Sequence, residues 1–266
     1  MYRYKRQNKC FKQGLGDGVI LILMKIPPGE FLMGAPETAP ESFDSQRPQH
    51  RVRLEPFFMG CYPVTQAQWR VVANYPQVER DLDPNPSRFT GENRPVENVS
   101  WDYATEFCKR LSAKTGREYC LPSEAEWEYA CRSGMETPFH FGETITTELA
   151  NYNGNYPFND NEGSQGEYRK TTTEVGSFPA NEWGLHDMHG NVWEWCEDDW
   201  HDNYEGAPND GTAWIEENRT GTGRVFRGGS YFSNPGHCSS AFRDNGTRIT
   251  LINDMGFRVV CHLPFP

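Results

Sequence analysis

A zinc site needs three or four converging nitrogen or sulfur ligands. His186, His189, His201 and Cys196 make only a loose set of that kind. No Ser-His-Asp order, Gly-rich phosphate loop or HExxH motif emerges either. Eight cysteines are present without a CxxC pair. The basic start, MYRYKRQNKCFK, lacks the apolar region and small-residue cleavage site of an export signal, so reduced thiols in a cytoplasmic protein are expected. Cys108 and Cys131 fall among helical apolar positions and read as core packing. The acidic run Glu194 to Glu205 (EWCEDDWHDNYE) reads as a solvated face or a cation-binding loop.

The most informative stretch runs from Arg224 to Cys261, RVFRGGSYFSNPGHCSSAFRDNGTRITLINDMGFRVVC. Its two ends are orderly and strand-like, but the interior follows neither a helical nor a two-residue period, so it reads as a surface loop between two anchors. From Tyr231 to Asp254 there is no Lys, Glu, Gln, Met or Trp. Those five are the residue types that a codon ending in a pyrimidine cannot encode.

The elements that must position this loop lie upstream. Val19 to Ile26 reads as a buried strand, Glu30 to Met33 as a second after the Pro27-Pro28-Gly29 turn, and His50 to Leu54 as a half-buried one leading to Phe57–Met59. Thr65 caps a short helix from Gln66 to Ala73. Two main helices follow. One is capped by Ser100, carries Ala104, Phe107, Cys108 and Leu111 as its apolar stripe and stops at Gly116. The other opens on a Ser123/Glu126 capping box and runs to Gly134. Both read as scaffold. Gly134 to Gly176 loosens into an Asn/Gly-rich loop.

The chain has 266 residues, 25 Gly, 19 Pro and 14% aromatic residues, which fits a loop-rich domain packed on large rings. Its net charge of -11 argues against a nucleic-acid partner, since a phosphate backbone would be repelled. The longest apolar run, Val19 to Met24, is too short to span a membrane. Neither an internal repeat nor an interdomain linker is visible, so residues 1–266 read as a single domain.

Six segments in order resemble the formylglycine-generating enzyme (sulfatase-modifying factor) family. They are Ile26–Gly34, Pro95–Trp101, Leu121–Glu128, Gly184–Trp195, Arg227–Ser230 and Gly256–Arg258. The resemblance implies an α+β fold of the C-type-lectin-like kind. The family's oxidases hold Cu(I) between two thiolates five residues apart, just after the GGS segment. The matching positions here are Ser233 and Cys238. A hydroxyl is a poor ligand for so soft an ion, which disfavours the activity the family implies: a copper-dependent oxidase converting a sulfatase cysteine to formylglycine, with Cys238 catalytic. Asp187, Gly190, Val192 and Glu194 match the family's calcium pattern. Asn151 and the Tyr152 carbonyl match part of a second site, whose remaining ligands fall near Glu167 and Arg169. Structural Ca²⁺ or Mg²⁺ is therefore expected.

The stretch 224–261 also looks like the variable region of proteins diversified by retroelements, in which adenine mutagenesis of Asn codons rewrites the end of a lectin-fold gene. The frame positions are Arg224, Val225, Arg227–Ser230, Pro235, Cys238, Ser240, Ala241, Arg243 and Gly256–Val259. The residues this resemblance marks as ligand-binding are Tyr231, Phe232, Ser233, Asn234, Gly236, His237, Ser239, Phe242, Asp244, Asn245, Thr247, Thr250, Leu251, Ile252, Asn253 and Asp254. Arg248 and Ile249 fall where the match is loosest. The expectation is a monomeric binding protein that displays these side chains to a protein ligand, as antibody loops display rings and small polar groups.

Overall fold

A computed structural model describes residues 8–39, 42–159, 165–219 and 221–262. The first seven residues of the basic N-terminal segment lie outside them. Three sheets form. The largest has the order β1-β2-β5-β11-β6, with β1 at Cys10–Gly16, β2 at Val19–Ile26, β5 at Phe57–Gly60, β6 at Tyr119–Cys120 and β11 at Val260–His262. A hairpin pairs β3, Gly29–Met33, with β4, His50–Leu54. The third sheet has the order β10-β7-β8-β9, with β7 at Trp193–Asp199, β8 at Arg224–Arg227, β9 at Arg243–Gly246 and β10 at Met255–Gly256. β8 and β9 flank the loop that follows the GGS segment, and β10 lies parallel to β7.

Three helices pack on this framework, the short one and the two main ones expected. α1, Gln66–Ala73, is short but carries a complete Thr65/Gln68 capping box. α2 spans Trp101–Thr115. Ser100 accepts from the Tyr103 amide at its start, and Gly116 ends it in the left-handed conformation. Trp69 of α1 stacks on Phe107 of α2 at 5.7 Å, and Phe257 meets both rings edge-on, so the segment between β10 and β11 is bolted to the main core. α3, Glu124–Arg132, opens on the Ser123/Glu126 box. It is scaffold, as expected, but through its acids as much as its apolar side chains. Glu124 and Glu128 are buried and carry the ion pairs that hold the site.

One sequence expectation is corrected. The run from Glu194 is not solvated in its first half: it is the buried strand β7, with Glu194, Asp198 and Asp199 at 4% exposure or less. Each of these carboxylates has an internal partner. Glu194 meets Arg258, Asp199 meets Arg224 and Arg219, and Asp198 accepts from the amides of Glu124 and Trp214. Asp202, Asn203 and Glu205 beyond it are exposed. Strand β1 has no signal in the sequence: its Gly-containing, polar CFKQGLG gains strand geometry by pairing with β2. All eight cysteines are unpaired. Among the described residues no helix is long and apolar enough to cross a membrane.

Candidate binding groove and its frame

The loop from Gly228 to Phe242 is clamped at both ends by one buried charge network. Arg227, the last residue of β8, donates to Glu124 Oε1 at 3.2 Å and to the carbonyls of Ser240 and Ala241 at 2.8 and 3.0 Å; it also pairs with Glu128. Arg243, the first residue of β9, donates Nε and Nη2 to the two oxygens of Glu124 at 2.7 and 2.8 Å. Its guanidinium lies between the rings of Trp200 and Tyr204. Arg132 donates to Glu128 Oε1 at 2.8 Å. Each guanidinium fork thus meets a carboxylate or a main-chain carbonyl in directional bonds that a point charge could not supply.

Between these clamps the main chain is held from outside. The Gly190 amide donates to the Gly228 carbonyl, Tyr231 to Asn191 O, Asn153 to Ser233 O and Ser240 to Pro138 O, all at 2.7–3.0 Å. His189 donates Nδ1–H to the Cys238 carbonyl at 2.7 Å while its Nε2 accepts from the His140 amide at 3.1 Å, so it is a neutral, buried strut. Burial drives its pKa well down, in keeping with that tautomer. At Gly229 (φ +73°) a Cβ would lie 2.5 Å from Cys238 Sγ, so both the conformation and the space demand glycine there. The later stretch is held the same way. Asn98 donates to Ile252 O, Asp102 to Arg248 O and Trp193 to Asp254 O.

The residues expected to be displayed divide into three groups. Phe232, Asn234, Asp244, Thr247, Leu251 and Ile252 are exposed, Phe232 at 64%. His237, Ser239, Asn245, Thr250, Asn253 and Asp254 are half-buried. Tyr231, Ser233, Gly236 and Phe242 are buried, against expectation. Phe242 stacks on His237 at 4.3 Å, lies edge-on to Phe43 and joins the main core beside Trp193. The Ser233 hydroxyl closes a turn by accepting from the Ser230 amide at 2.9 Å. Gly236 sits inside the 3₁₀ turn Pro235–Cys238. Tyr231 lies edge-on to Phe89 at 5.3 Å, on the floor of an open groove.

That groove, about 710 Å³, brings the two ends of the variable stretch together: Tyr231 and Phe232 from one end, Ile252, Asn253 and Asp254 from the other. Its remaining lining, Arg88, Phe89, Tyr168 and Lys170, was not singled out from the sequence. These residues sit in irregular loops far away in the chain, and only folding brings them alongside. Beneath the groove Glu97 is fully buried; its Oε1 accepts from the Phe89 amide, its Oε2 has no partner, and burial pushes its pKa up to about 7. The structure also separates the two ambiguous positions. Arg248 is a tether, donating to Asp102 Oδ1 at 2.7 Å, whereas Ile249 is 69% exposed. Among the described residues, four of the eleven exposed large apolar side chains, Phe232, Ile249, Leu251 and Ile252, fall in this one stretch.

The donors for a copper ion do not fit. Ser233 Oγ is committed to the Ser230 amide and hydroxyl. Cys238 is completely buried with its thiol pKa pushed up by desolvation, and its Sγ donates to the Asn234 carbonyl at 3.8 Å. A soft ion would find no pair of thiolates here. The residues expected at calcium fit in part. Asp187 Oδ1 and Asn151 Oδ1 are buried oxygens without a partner, the hard donors such an ion takes. Glu194 does not fit: its oxygens accept from Arg258 Nε and Nη2 at 2.6 and 2.7 Å and from Trp127 Nε1 at 2.7 Å. The Gly190 carbonyl accepts from the Val192 amide. Tyr152 is buried, with Glu167 paired to Arg169 nearby across the Asn153–Tyr168 bridge. Among the described residues no group of three His, Cys, Asp or Glu side chains converges as a metal site, so the loose zinc set does not assemble.

Comparison with known proteins agrees with this architecture. The chain is 28% identical to the formylglycine-generating enzyme of Mus musculus, over 98% of this chain and 82% of the enzyme. Its fold matches PvdO from Pseudomonas aeruginosa with a TM-score of 0.80 and 30% identity, covering 98% and 100% of the two chains. It also matches Treponema denticola variable protein 1 with a TM-score of 0.72 and 25% identity, covering 97% and 100%. Residues 17–263 match the sulfatase-modifying factor enzyme 1-like domain. With that match over nearly the whole chain, on a lectin-like α+β scaffold, the protein belongs to the sulfatase-modifying factor family.

Proposed function

We propose that the chain is the ligand-binding variable protein of a diversity-generating retroelement, a non-enzymatic monomer whose ligand is a protein. The observation that carries this reading is the division of labour between Gly228 and Met255. The main-chain path is held by residues outside the variable set, namely Arg227, Arg243, Glu124, Glu128, His189, Asn153 and Asn191. Meanwhile Phe232, Asn234, Asp244, Leu251 and Ile252 face outward. Side chains can then change while the backbone does not, which is what a diversified receptor requires. The likeness to a solved protein called a variable protein supports it. The flanking DNA tests it. A reverse transcriptase gene should lie close by, with a near-copy of the 231–254 coding segment carrying adenines at the variable sites. A complete genome lacking both would end the reading.

A second reading, a copper-dependent oxidase acting on a sulfatase cysteine, is favoured by the likeness to enzymes bearing the formylglycine-generating name. The Ser233–Cys238 pair weighs against it. Aerobic turnover of a CxPxR peptide with Cu(I), lost in Cys238→Ala, would establish it in place of the first. In either reading Asp187, whose Oδ2 accepts from the Gly176 amide while its buried Oδ1 has no hydrogen-bond partner, is the residue we assign to a structural calcium ion.

A further inference from the structure

The groove has a variable wall and a fixed wall, and the fixed wall carries charge chosen against the rest of the molecule. Arg88 lies 5.5 Å over the Phe89 ring and Lys170 lies 5.5 Å over the Tyr168 ring. Both cations are exposed. Neither makes an ion pair with a described residue, whereas the likewise exposed Arg51 and Arg53 each do. The chain's net charge is -11, so two exposed cations at one groove, neither paired with a described residue, place positive charge on an otherwise acidic chain. Of the acids nearby, Asp254 Oδ2 accepts from the Ser230 hydroxyl at 2.8 Å and is half-buried, and Glu97 is fully buried beneath the groove, so neither carboxylate is presented to the open side as Arg88 and Lys170 are. Both cations rest on rings and line the groove, with apolar surface from Phe89, Phe232 and Ile252 in the same lining.

We propose that the groove takes an acidic segment of a partner polypeptide. A carboxylate side chain sits between Arg88 and Lys170, and a neighbouring apolar side chain lies against Phe89, Phe232 and Ile252. This rests on the ligand-binding reading and adds a constant element to it. The scaffold supplies an anchor shared by every sister copy, and the diversified wall decides which acidic segment is accepted.

The test uses a random-peptide display library panned on the intact chain and on the Arg88→Gln/Lys170→Gln double variant. Both changes are on exposed side chains, and a matching melting temperature verifies the fold. The expected outcome is enrichment of Asp or Glu beside an aromatic or aliphatic residue. Affinity for a selected peptide should fall at least about tenfold in the double variant, and should also fall as salt is raised. Binders without acidic enrichment, or binders unaffected by the double variant, overturn the acidic anchor. If such binding is nonetheless lost in Phe232→Ala, the displayed surface stands and only the anchor fails. Binding indifferent to both sets of changes, or a library yielding no binder, overturns the anchor and counts against the display reading as well. Preference for an oligonucleotide over every selected peptide overturns the polypeptide assignment.

Discussion

Replacing Glu124 by Gln should separate frame from display more sharply than any change in the loop itself. Glu124 receives four hydrogen bonds: one from Arg227, two from Arg243 and one from the Tyr204 hydroxyl. Arg227, Arg243 and Glu124 are all buried. Glutamine keeps the shape but removes the charge and turns an N–H₂ toward one of the donors. Arg132, Arg227 and Arg243 then face Glu128 as their one remaining carboxylate in the cluster. Removing one partner of a buried ion pair costs about 3–5 kcal/mol. At about 2–4 °C per kcal/mol for a chain of this size, the melting temperature should fall on the order of 10 °C. Arg243→Lys, which keeps charge but loses the fork, should produce a smaller fall in the same direction.

Phe232→Ala is the comparison. At 64% exposed, this ring contributes little to the core, and its removal should stay within about 0.5 kcal/mol. Differential scanning calorimetry reads both changes. Hydrogen exchange supplies the mechanism, since amides from 228 to 242 should exchange faster in Glu124→Gln and unchanged in Phe232→Ala. A Glu124→Gln protein melting within about 2 °C of the parent would refute the reasoning. So would a Phe232→Ala protein that melts as low as the charge variant.

Glu97, with its pKa raised to about 7 in the fold, holds a proton that the unfolded chain has already released above about 4.5. Stability should therefore decline as pH rises from about 4.5 to 7, and urea titrations of Glu97→Gln should show that slope reduced. Millimolar calcium should raise the melting temperature of the parent but not of Asp187→Asn; a parent indifferent to calcium and to chelator removes the ion from that site. Arg248→Ala should quicken exchange of the amides from 247 to 252 with little loss of overall stability, because the tether to Asp102 holds an exposed tip and no core. Equal protection in parent and variant would show that the main-chain bonds from Asn98 and Asp102, with the Thr247–Thr250 contact, secure the turn without the Arg248 tether.

Much of this was legible in the residues. β2 and β4 have the bounds that their apolar patterns predict, and α2 and α3 start where Ser100 and Ser123 cap them. Local signals of that kind are carried by neighbouring residues. Hidden were the features that depend on remote partners. Glu194, Asp198 and Asp199 look solvated in sequence because their arginine and amide partners lie elsewhere in the chain. The fixed wall of the groove was invisible for the same reason, as Arg88 and Lys170 meet Phe232 and Ile252 only through the fold. Substitution tolerance marks codons, not solvent, so the codon pattern could not say which variable side chains point inward.

Phe242 makes that last distinction matter. It is 5% exposed, stacked on His237 and packed near Trp193 and Phe43, yet an Asn codon altered at its adenines reaches it as readily as it reaches Phe232. Truncating a buried ring costs about 3–5 kcal/mol, a large share of the roughly 5–15 kcal/mol that holds most domains folded. Sister copies carrying Asp or Ser at 242 should therefore fold poorly, while those with Tyr, Ile or Leu persist. Phe242→Ser should lower the melting temperature several times more than Phe232→Ser, and a library randomised at both positions, sorted for folded protein, should emerge apolar at 242 and mixed at 232. A sorted library equally mixed at both would mean that the Arg227–Glu124–Arg243 clamp alone keeps the loop in place, and that the ring at 242 is spare. The structure argues otherwise: the clamp fixes the main chain, but a cavity beside Trp193 would remain for water or collapse to fill.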